Sequence, residues 1–174
     1  LAREPGSTVI HNLITSKAVP EIIRENGGEP VRTRVGHSFI KAKMAETNAV
    51  FGGEHSAHYY FRDFWRADSG MLAAMHVLAA LGQQDKPLSE MMAKYNRYAA
   101  SGEINSRLDS AEAQADRTEA VVKAFADRAE NVDRLDGVTV ELKDGNWFNV
   151  RASNTEPLLR LNVEADTQEA VDAL

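Results

Sequence analysis

The chain has 174 residues, 43% of them hydrophobic and 26% charged, with a formal net charge of −6 and no cysteine. These values are ordinary for a soluble globular protein and exclude disulfide and thiolate chemistry. The acidic balance and the lack of a basic tract argue against nucleic acid as a partner.

No run of about 18 apolar residues is present, so no membrane span is expected, and no signal peptide is visible. A cytoplasmic protein fits this. Leu1-Ala2-Arg3-Glu4 lacks an initiator Met, and the last residues read as a helix cut in mid-pattern. The chain is therefore expected to be a piece of something longer.

Thr8-Val9-Ile10 is a β-branched strand signal, followed by a helix from Lys17 to about Asn26 with Ser16 as its cap. Val31, Thr33 and Val35 alternate with Arg32 and Arg34, a period-two strand. Ser38 opens a helix through about Thr47, and Ala49-Val50-Phe51 is a strand ending at Gly52-Gly53. Glu54 then sits at the carboxyl end of a strand, where open α/β sheets place ligands. Tyr59-Tyr60-Phe61 reads as another strand. Asp68 or Ser69 caps a helix from Gly70 to Leu81 that is apolar nearly all round, which predicts burial against the sheet.

A boundary follows at Gln83-Gln84-Asp85-Lys86-Pro87, and a helix from Leu88 to Tyr98, stopped by Ser101-Gly102, joins two units. The expected domains are an α/β domain at 1–84, a linker helix region at 85–100 and an α+β domain at 101–174. In the second, Glu103 to Arg107 is a strand candidate and Asp116 to Glu130 a helix. Val138 to Leu142 and Trp147 to Val150 flank Lys143-Asp144-Gly145-Asn146, a hairpin signal. Leu158 to Val163 is a further strand, and Asp166 or Thr167 caps a last helix. The fold class is thus an α/β domain, a mixed sheet with flanking helices, followed by a smaller α+β domain with an antiparallel sheet.

Two short runs carry chemistry. In Gly53-Glu54-His55-Ser56-Ala57-His58, the residues Glu54, Ser56 and His58 alternate and point the same way if extended. A carboxylate, a hydroxyl and an imidazole suit sugar hydroxyls. The alternative is a loop carboxylate beside a packed histidine. Zinc held by His55 and His58 with Glu54 or Asp63 is disfavoured, because the two histidines fall on opposite faces. In Arg151-Ala152-Ser153-Asn154-Thr155-Glu156-Pro157, a guanidinium, two hydroxyls, an amide and a tight turn suit a phosphate dianion. The alternative is a polar hairpin turn with an incidental arginine. Lys17 and His37 each follow a strand and open a helix, an anion-friendly position at the same sheet edge. Arg32 and Arg34 read as a solvated face, His76 as a core histidine, and Trp65 and Trp147 as packing residues. His11 has no assigned role.

Val35-Gly36-His37-Ser38-Phe39-Ile40-Lys41 and these two loops, in this order and at this separation, resemble the carboxyl-terminal half of the α-D-phosphohexomutases. The resemblance covers nearly the whole chain. Ala57 stands where glycine is common, and His58 is similar to the mannose-accepting branch. The resemblance implies that Glu54, Ser56 and His58 contact the sugar, with Glu54 and Ser56 on its 3- and 4-hydroxyls. It implies that Arg151, Ser153, Asn154 and Thr155 hold the non-transferring phosphate, and that Lys17 and His37 support the active site.

For the full enzyme it implies an isomerase interconverting hexose 1- and 6-phosphates of mannose or glucose, with Mg²⁺ and hexose 1,6-bisphosphate. The family's phosphoserine and its Asp-x-Asp-x-Asp metal loop belong to earlier domains and find no match in this sequence. No catalytic or metal residue is therefore expected here. The expected partners are a small phosphosugar and the missing amino-terminal domains of the same protein. The alternatives are a phosphosugar-binding module without turnover and an inert structural fragment.

Overall fold

The computed structural model describes residues 1–153 and 155–174, and the expectation for Asn154 lies outside the described residues. The chain divides into two compact units, Leu1–Arg97 and Tyr98–Leu174.

In the first unit, Thr8–Asn12 forms β1, Ala18–Glu25 α1, Glu29–Thr33 β2, His37–Thr47 α2, Phe51–Gly53 β3 and Tyr59–Phe61 β4. Ala67–Asp68 forms β5, Gly70–Leu81 α3 and Leu88–Ala93 α4. The described strands make one mixed sheet in the order β2-β1-β3-β4-β5. β1 runs parallel to both β2 and β3, and β4 returns antiparallel to β3. The chain steps from β1 to one side, then crosses back over β1 to reach β3. The direction of winding therefore reverses between β1 and β3, which makes that edge a topological switch point.

Register brings the parallel strands to a common end. Asn12 lies opposite Thr33, and His11 lies opposite Gly53. The loops after β1, β2 and β3 consequently emerge together. Beneath them Ile10, Ile40, Met44, Ala49 and Tyr60 form the core, with Val31 packed against it. Ile40 and Met44 are four residues apart on α2, so one helix stripe faces the sheet.

One of the two caps expected for α3 is found, and the expectations for α3 burial, His76 and Trp65 are corrected. The cap of α3 is Ser69, which accepts the Leu72 N–H at 3.1 Å. Asp68 belongs instead to β5, a two-residue strand too short to leave a period-two signal. Helix α3 buries no residue: Met71, Met75 and Leu78 are 80%, 62% and 64% exposed. One sheet face can cover only one side of a helix, and small residues such as Ala73 and Ala74 line the groove toward Phe51 and Phe61. His76 is exposed and stacks on Phe61 at 5.5 Å, and Trp65 is 83% exposed, so neither is a core residue.

In the second unit, Ala99–Arg107 forms β6, Ala113–Phe125 α5, Ala129–Asp133 β7 and Val138–Leu142 β8. Trp147–Ala152 forms β9, Leu158–Ala165 β10 and Gln168–Asp172 α6. The described strands make one antiparallel sheet, β6-β10-β9-β8-β7. Val138, Val140, Phe148, Val150, Leu159 and Val163 build its core, with Val121, Val122 and Phe125 of α5 packed on them. The hairpin between β8 and β9 turns at Gly145, whose φ of +84° suits glycine.

Ser101-Gly102 stops no helix. It is a bulge in β6, where the register to β10 shifts between Asn162 and Glu164. Gly102 takes the left-handed backbone at φ +68°. Ser101 Oγ accepts the Val163 N–H at 3.0 Å, replacing the ladder bond that the bulge removes. Helix α5 ends at Phe125, five residues before its expected end at Glu130, and after a turn the edge strand β7 takes Ala129 and Glu130. Val132 is the one β-branched residue of that strand, too little for a strand signal.

Candidate functional site

On the first unit the switch-point edge gathers the chemistry. Glu54 follows β3 directly and is 7% exposed. Its Oε1 accepts the Tyr60 hydroxyl at 2.6 Å. Tyr60 is fully buried, and burial together with the Glu54 carboxylate pushes its hydroxyl well above the ordinary phenol range. The phenol thus stays a donor, and it holds the carboxylate at one oxygen. Oε2 accepts no hydrogen bond among the described residues.

Residues 54–58 are a turn and not an extended run. The Glu54 N–H donates to the His58 carbonyl at 2.9 Å, and the Ala57 N–H to the Glu54 carbonyl at 3.0 Å. Ala57 sits at φ +64°. The alternation expected for Glu54, Ser56 and His58 is therefore absent. Glu54 is pinned inward, Ser56 is exposed at the turn, and His58 lies just before β4. A non-glycine residue in the left-handed region costs about 1–2 kcal/mol. Ala57→Gly is expected to raise the unit's stability by up to about 1 kcal/mol, after the entropy that glycine loses on folding. A chemical denaturation midpoint checks this, and an unchanged or lower midpoint contradicts it.

His58 Nδ1 lies 3.0 Å from Asp68 Oδ2. A carboxylate only accepts, so Nδ1 carries the proton. The same bond holds the Asp68 carboxyl below the usual range. His37, at the start of α2, places its ring 5.1 Å from that of His58 and 6.4 Å from that of Tyr60. Glu54, Tyr60, His58, Asp68 and His37 thus form one contiguous group. Lys17 is the N-cap of α1 on the same sheet edge. Tyr60 and Asp68 are the members that sequence reasoning missed as functional.

On the second unit Arg151 lies in β9 and Ser153 just beyond it. Arg151 pairs directly across the ladder with Arg160 of β10. Like charges opposite each other are unfavourable unless compensated. Glu103 approaches Arg160 at 3.6 Å through its Nη1, and the Nε atoms of Arg151 and Arg160 are both buried with no partner among the described residues. An orphaned buried guanidinium donor is costly in the apo state and is satisfied by a bound anion.

Ser153 is buried, its N–H donating to the Leu158 carbonyl at 3.0 Å. Its Oγ accepts the Thr155 N–H at 3.4 Å. Gln114 of α5 fastens the loop: one amide nitrogen reaches the carbonyls of Ser153, Glu156 and Leu158 at 3.3, 3.1 and 3.0 Å. Nothing local in the sequence marks Gln114, because its partners are about 40 residues away.

Mg²⁺ takes near-octahedral oxygen ligands. Among the described residues, the one group with metal-ligand spacing is His37, His58 and Asp68. Two imidazoles and one carboxylate do not fit Mg²⁺.

Comparison with known proteins follows the same division. Residues 1–98 match the family model "Phosphoglucomutase/phosphomannomutase, alpha/beta/alpha domain III", and residues 103–174 match "Phosphoglucomutase/phosphomannomutase, C-terminal domain". The chain is 42% identical to "Phosphohexose mutases" of Xanthomonas campestris pv. campestris over 94% of its own length and 36% of the relative's. It is 40% identical to "Phosphomannomutase" of Methanocaldococcus jannaschii, covering 98% of this chain and 37% of the relative. A solved phosphoglucomutase/phosphomannomutase family protein from Burkholderia thailandensis superposes with a TM-score of 0.83 at 32% identity, over 99% of this chain and 36% of that one. The chain thus spans little more than a third of the length of these relatives. No helix among the described residues is long and apolar enough to cross a membrane.

Proposed function

Because this chain belongs to the phosphoglucomutase/phosphomannomutase family, we propose that it is the substrate-recognition part of a cytoplasmic hexose-phosphate mutase. The first unit recognises sugar hydroxyls and the second recognises a phosphate. The supporting observation is the pair of prepared, unsatisfied groups: Glu54 buried with one oxygen held by Tyr60 and the other open, and Arg151 with a buried donor lacking a partner.

Glu54 Oε2 accepts hydrogen bonds from the sugar, with Ser56 and His58 adding contacts from the same turn. Fixing Oε1 on Tyr60 removes rotamer freedom before binding, so less entropy is lost when the sugar arrives. Lys17 and His37 add donors on the same sheet edge. Arg151, Ser153 and Thr155, together with Asn154, hold the phosphate that is not transferred. Gln114 keeps that loop in its bound shape.

The complete reaction interconverts hexose 1-phosphate and hexose 6-phosphate of mannose or glucose through hexose 1,6-bisphosphate. Mg²⁺ supplies charge neutralisation to the transferring phosphoryl group. Among the described residues, the one group with metal-ligand spacing, His37, His58 and Asp68, does not fit that ion. Taken alone, the chain binds phosphosugar without turnover.

Two calorimetric comparisons test the reading. Mannose 1-phosphate is expected to bind the 174-residue chain saturably. Arg151→Ala removes charge-assisted hydrogen bonds of about 1.5–3 kcal/mol, so affinity should fall at least about tenfold with the fold intact. Equal affinity for wild type and variant would refute the assignment of Arg151. Gln114→Ala is expected to weaken binding more mildly, about threefold to tenfold, through loss of loop order at about 1 kcal/mol. An unchanged constant for Gln114→Ala contradicts its positioning role.

A further inference from the structure

His37, His58 and Asp68 offer three donor atoms that all lie within 4.8 Å of one another. Each comes from a different segment: His37 is the first residue of α2, His58 ends the turn before β4, and Asp68 ends β5. The β4–β5 ladder ties the last two. Tyr60 lies opposite Asp68, and the Ser69 N–H donates to the Tyr59 carbonyl at 2.9 Å. His37 and Asp68 are carried on a helix start and a paired strand, and His58 adjoins the paired strand β4.

The spacing matches a coordination sphere. Zn²⁺ binds imidazole nitrogen and carboxylate oxygen at about 2.0–2.2 Å, so neighbouring ligands of a tetrahedron lie about 3.3 Å apart. His58 Nδ1 and Asp68 Oδ2 are already 3.0 Å apart. The His37 ring, exposed and 5.1 Å from that of His58, completes the third corner by rotating about its own side-chain bonds.

From this geometry we infer that His37, His58 and Asp68 form a three-ligand site for a borderline-soft divalent cation of the Zn²⁺ class. Imidazole suits Zn²⁺, Co²⁺, Ni²⁺ and Cu²⁺, whereas Mg²⁺ demands an oxygen shell. The cation takes the place of the hydrogen between His58 Nδ1 and Asp68 Oδ2. The neutral imidazole keeps its one proton by shifting it to Nε2, and water fills the open coordination position. His37 and His58 also belong to the proposed phosphosugar contacts, so a bound cation competes with the sugar. That consequence alone rests on the phosphosugar reading.

Co²⁺ is the probe. Titrated into the chain at neutral pH, it should give saturable visible absorption of a low-symmetry, four-coordinate site at one ion per chain. Zn²⁺ should abolish the bands, and excess Mg²⁺ should not. His58→Ala and Asp68→Ala should each weaken Co²⁺ at least about tenfold, the scale on which even supporting groups of a metal site act. His55→Ala, which removes an exposed imidazole on the adjacent turn, should leave binding unchanged. Far-ultraviolet circular dichroism shows that each variant is folded. Absence of a saturable band, displacement by Mg²⁺, or equal weakening by His55→Ala overturns the site. Co²⁺ binding without any phosphosugar binding upholds the metal site and defeats the phosphosugar reading, so the two fail separately.

Discussion

Gly137→Ala is expected to unfold the second unit or leave it barely stable. Gly137 sits at φ +65°, immediately before β8. A Cβ there would run into the Val150 carbonyl oxygen and lie 2.8 Å from Arg151 Cα. Those atoms are backbone, and the register holds them: Val138 pairs with Val150 across the β8–β9 ladder. The clash cannot be relieved by a side-chain rotation. The left-handed conformation costs an alanine about 1–2 kcal/mol, and overpacking typically adds about 1–3 kcal/mol. A loss of roughly 3 kcal/mol or more is a large share of the about 5–15 kcal/mol that holds an ordinary domain.

Denaturation followed by the fluorescence of Trp147, a buried residue of the same unit, reads the effect directly. Any folded remainder should also bind phosphosugar poorly, since Arg151 is one of the displaced residues. A midpoint equal to wild type would show that the close approach is not there.

The first unit should lose stability in mild acid because of His11. Its imidazole is buried, and burial lowers its pKa from 6.5 to about 4, with Arg32 and Arg24 adding repulsion. The folded pKa is below the unfolded one, so between the two the unfolded chain binds more protons. Stability from neutral His11 is therefore complete above about pH 6.5 and is lost as pH falls toward 4. At 1.36 kcal/mol per unit the loss amounts to about 3 kcal/mol. Carboxylates titrate across part of the same range, so the readout is the difference between two proteins. His11→Gln keeps a polar side chain of similar size without the titration. Its stability should fall less between neutral pH and pH 4, by about 3 kcal/mol. Identical slopes for both proteins contradict the assignment.

Much of this fold is legible in local pattern. The β-branched run Thr8-Val9-Ile10 marks β1, and Asp144-Gly145 marks the β8–β9 turn. Those signals come from backbone sterics, which act over a few residues. The order of elements then places Lys17, His37 and Glu54 on one edge through the parallel topology.

What stayed hidden depends on partners distant in sequence. Ser101-Gly102 carries the composition of a helix stop, and only pairing with β10 makes it a bulge. The exposure of α3 is set by how much surface stands opposite it, and no helix period records that. Within the site, residue types pointed to Glu54 and Arg151, but the backbone turn at Ala57 removed the alternation that had grouped Glu54 with Ser56 and His58. Tyr60 looked like any strand aromatic. Its hydroxyl acquires a role only because β4 runs back beside β3 and sets it against Glu54. Gln114 and Asp68 are single polar residues whose partners come from other elements, so neither stands out without the fold.

The most direct test of the account is amide chemical-shift mapping by ¹⁵N nuclear magnetic resonance. Mannose 1-phosphate, titrated into the labelled chain, should shift the amides of Glu54 to Tyr60 on the first unit and of Ser153 and Thr155 on the second. Inorganic phosphate should shift the second set and leave the first unmoved. Shifts confined to the Ser153 region with both ligands, or absent from both regions, would contradict recognition of sugar and phosphate by this chain.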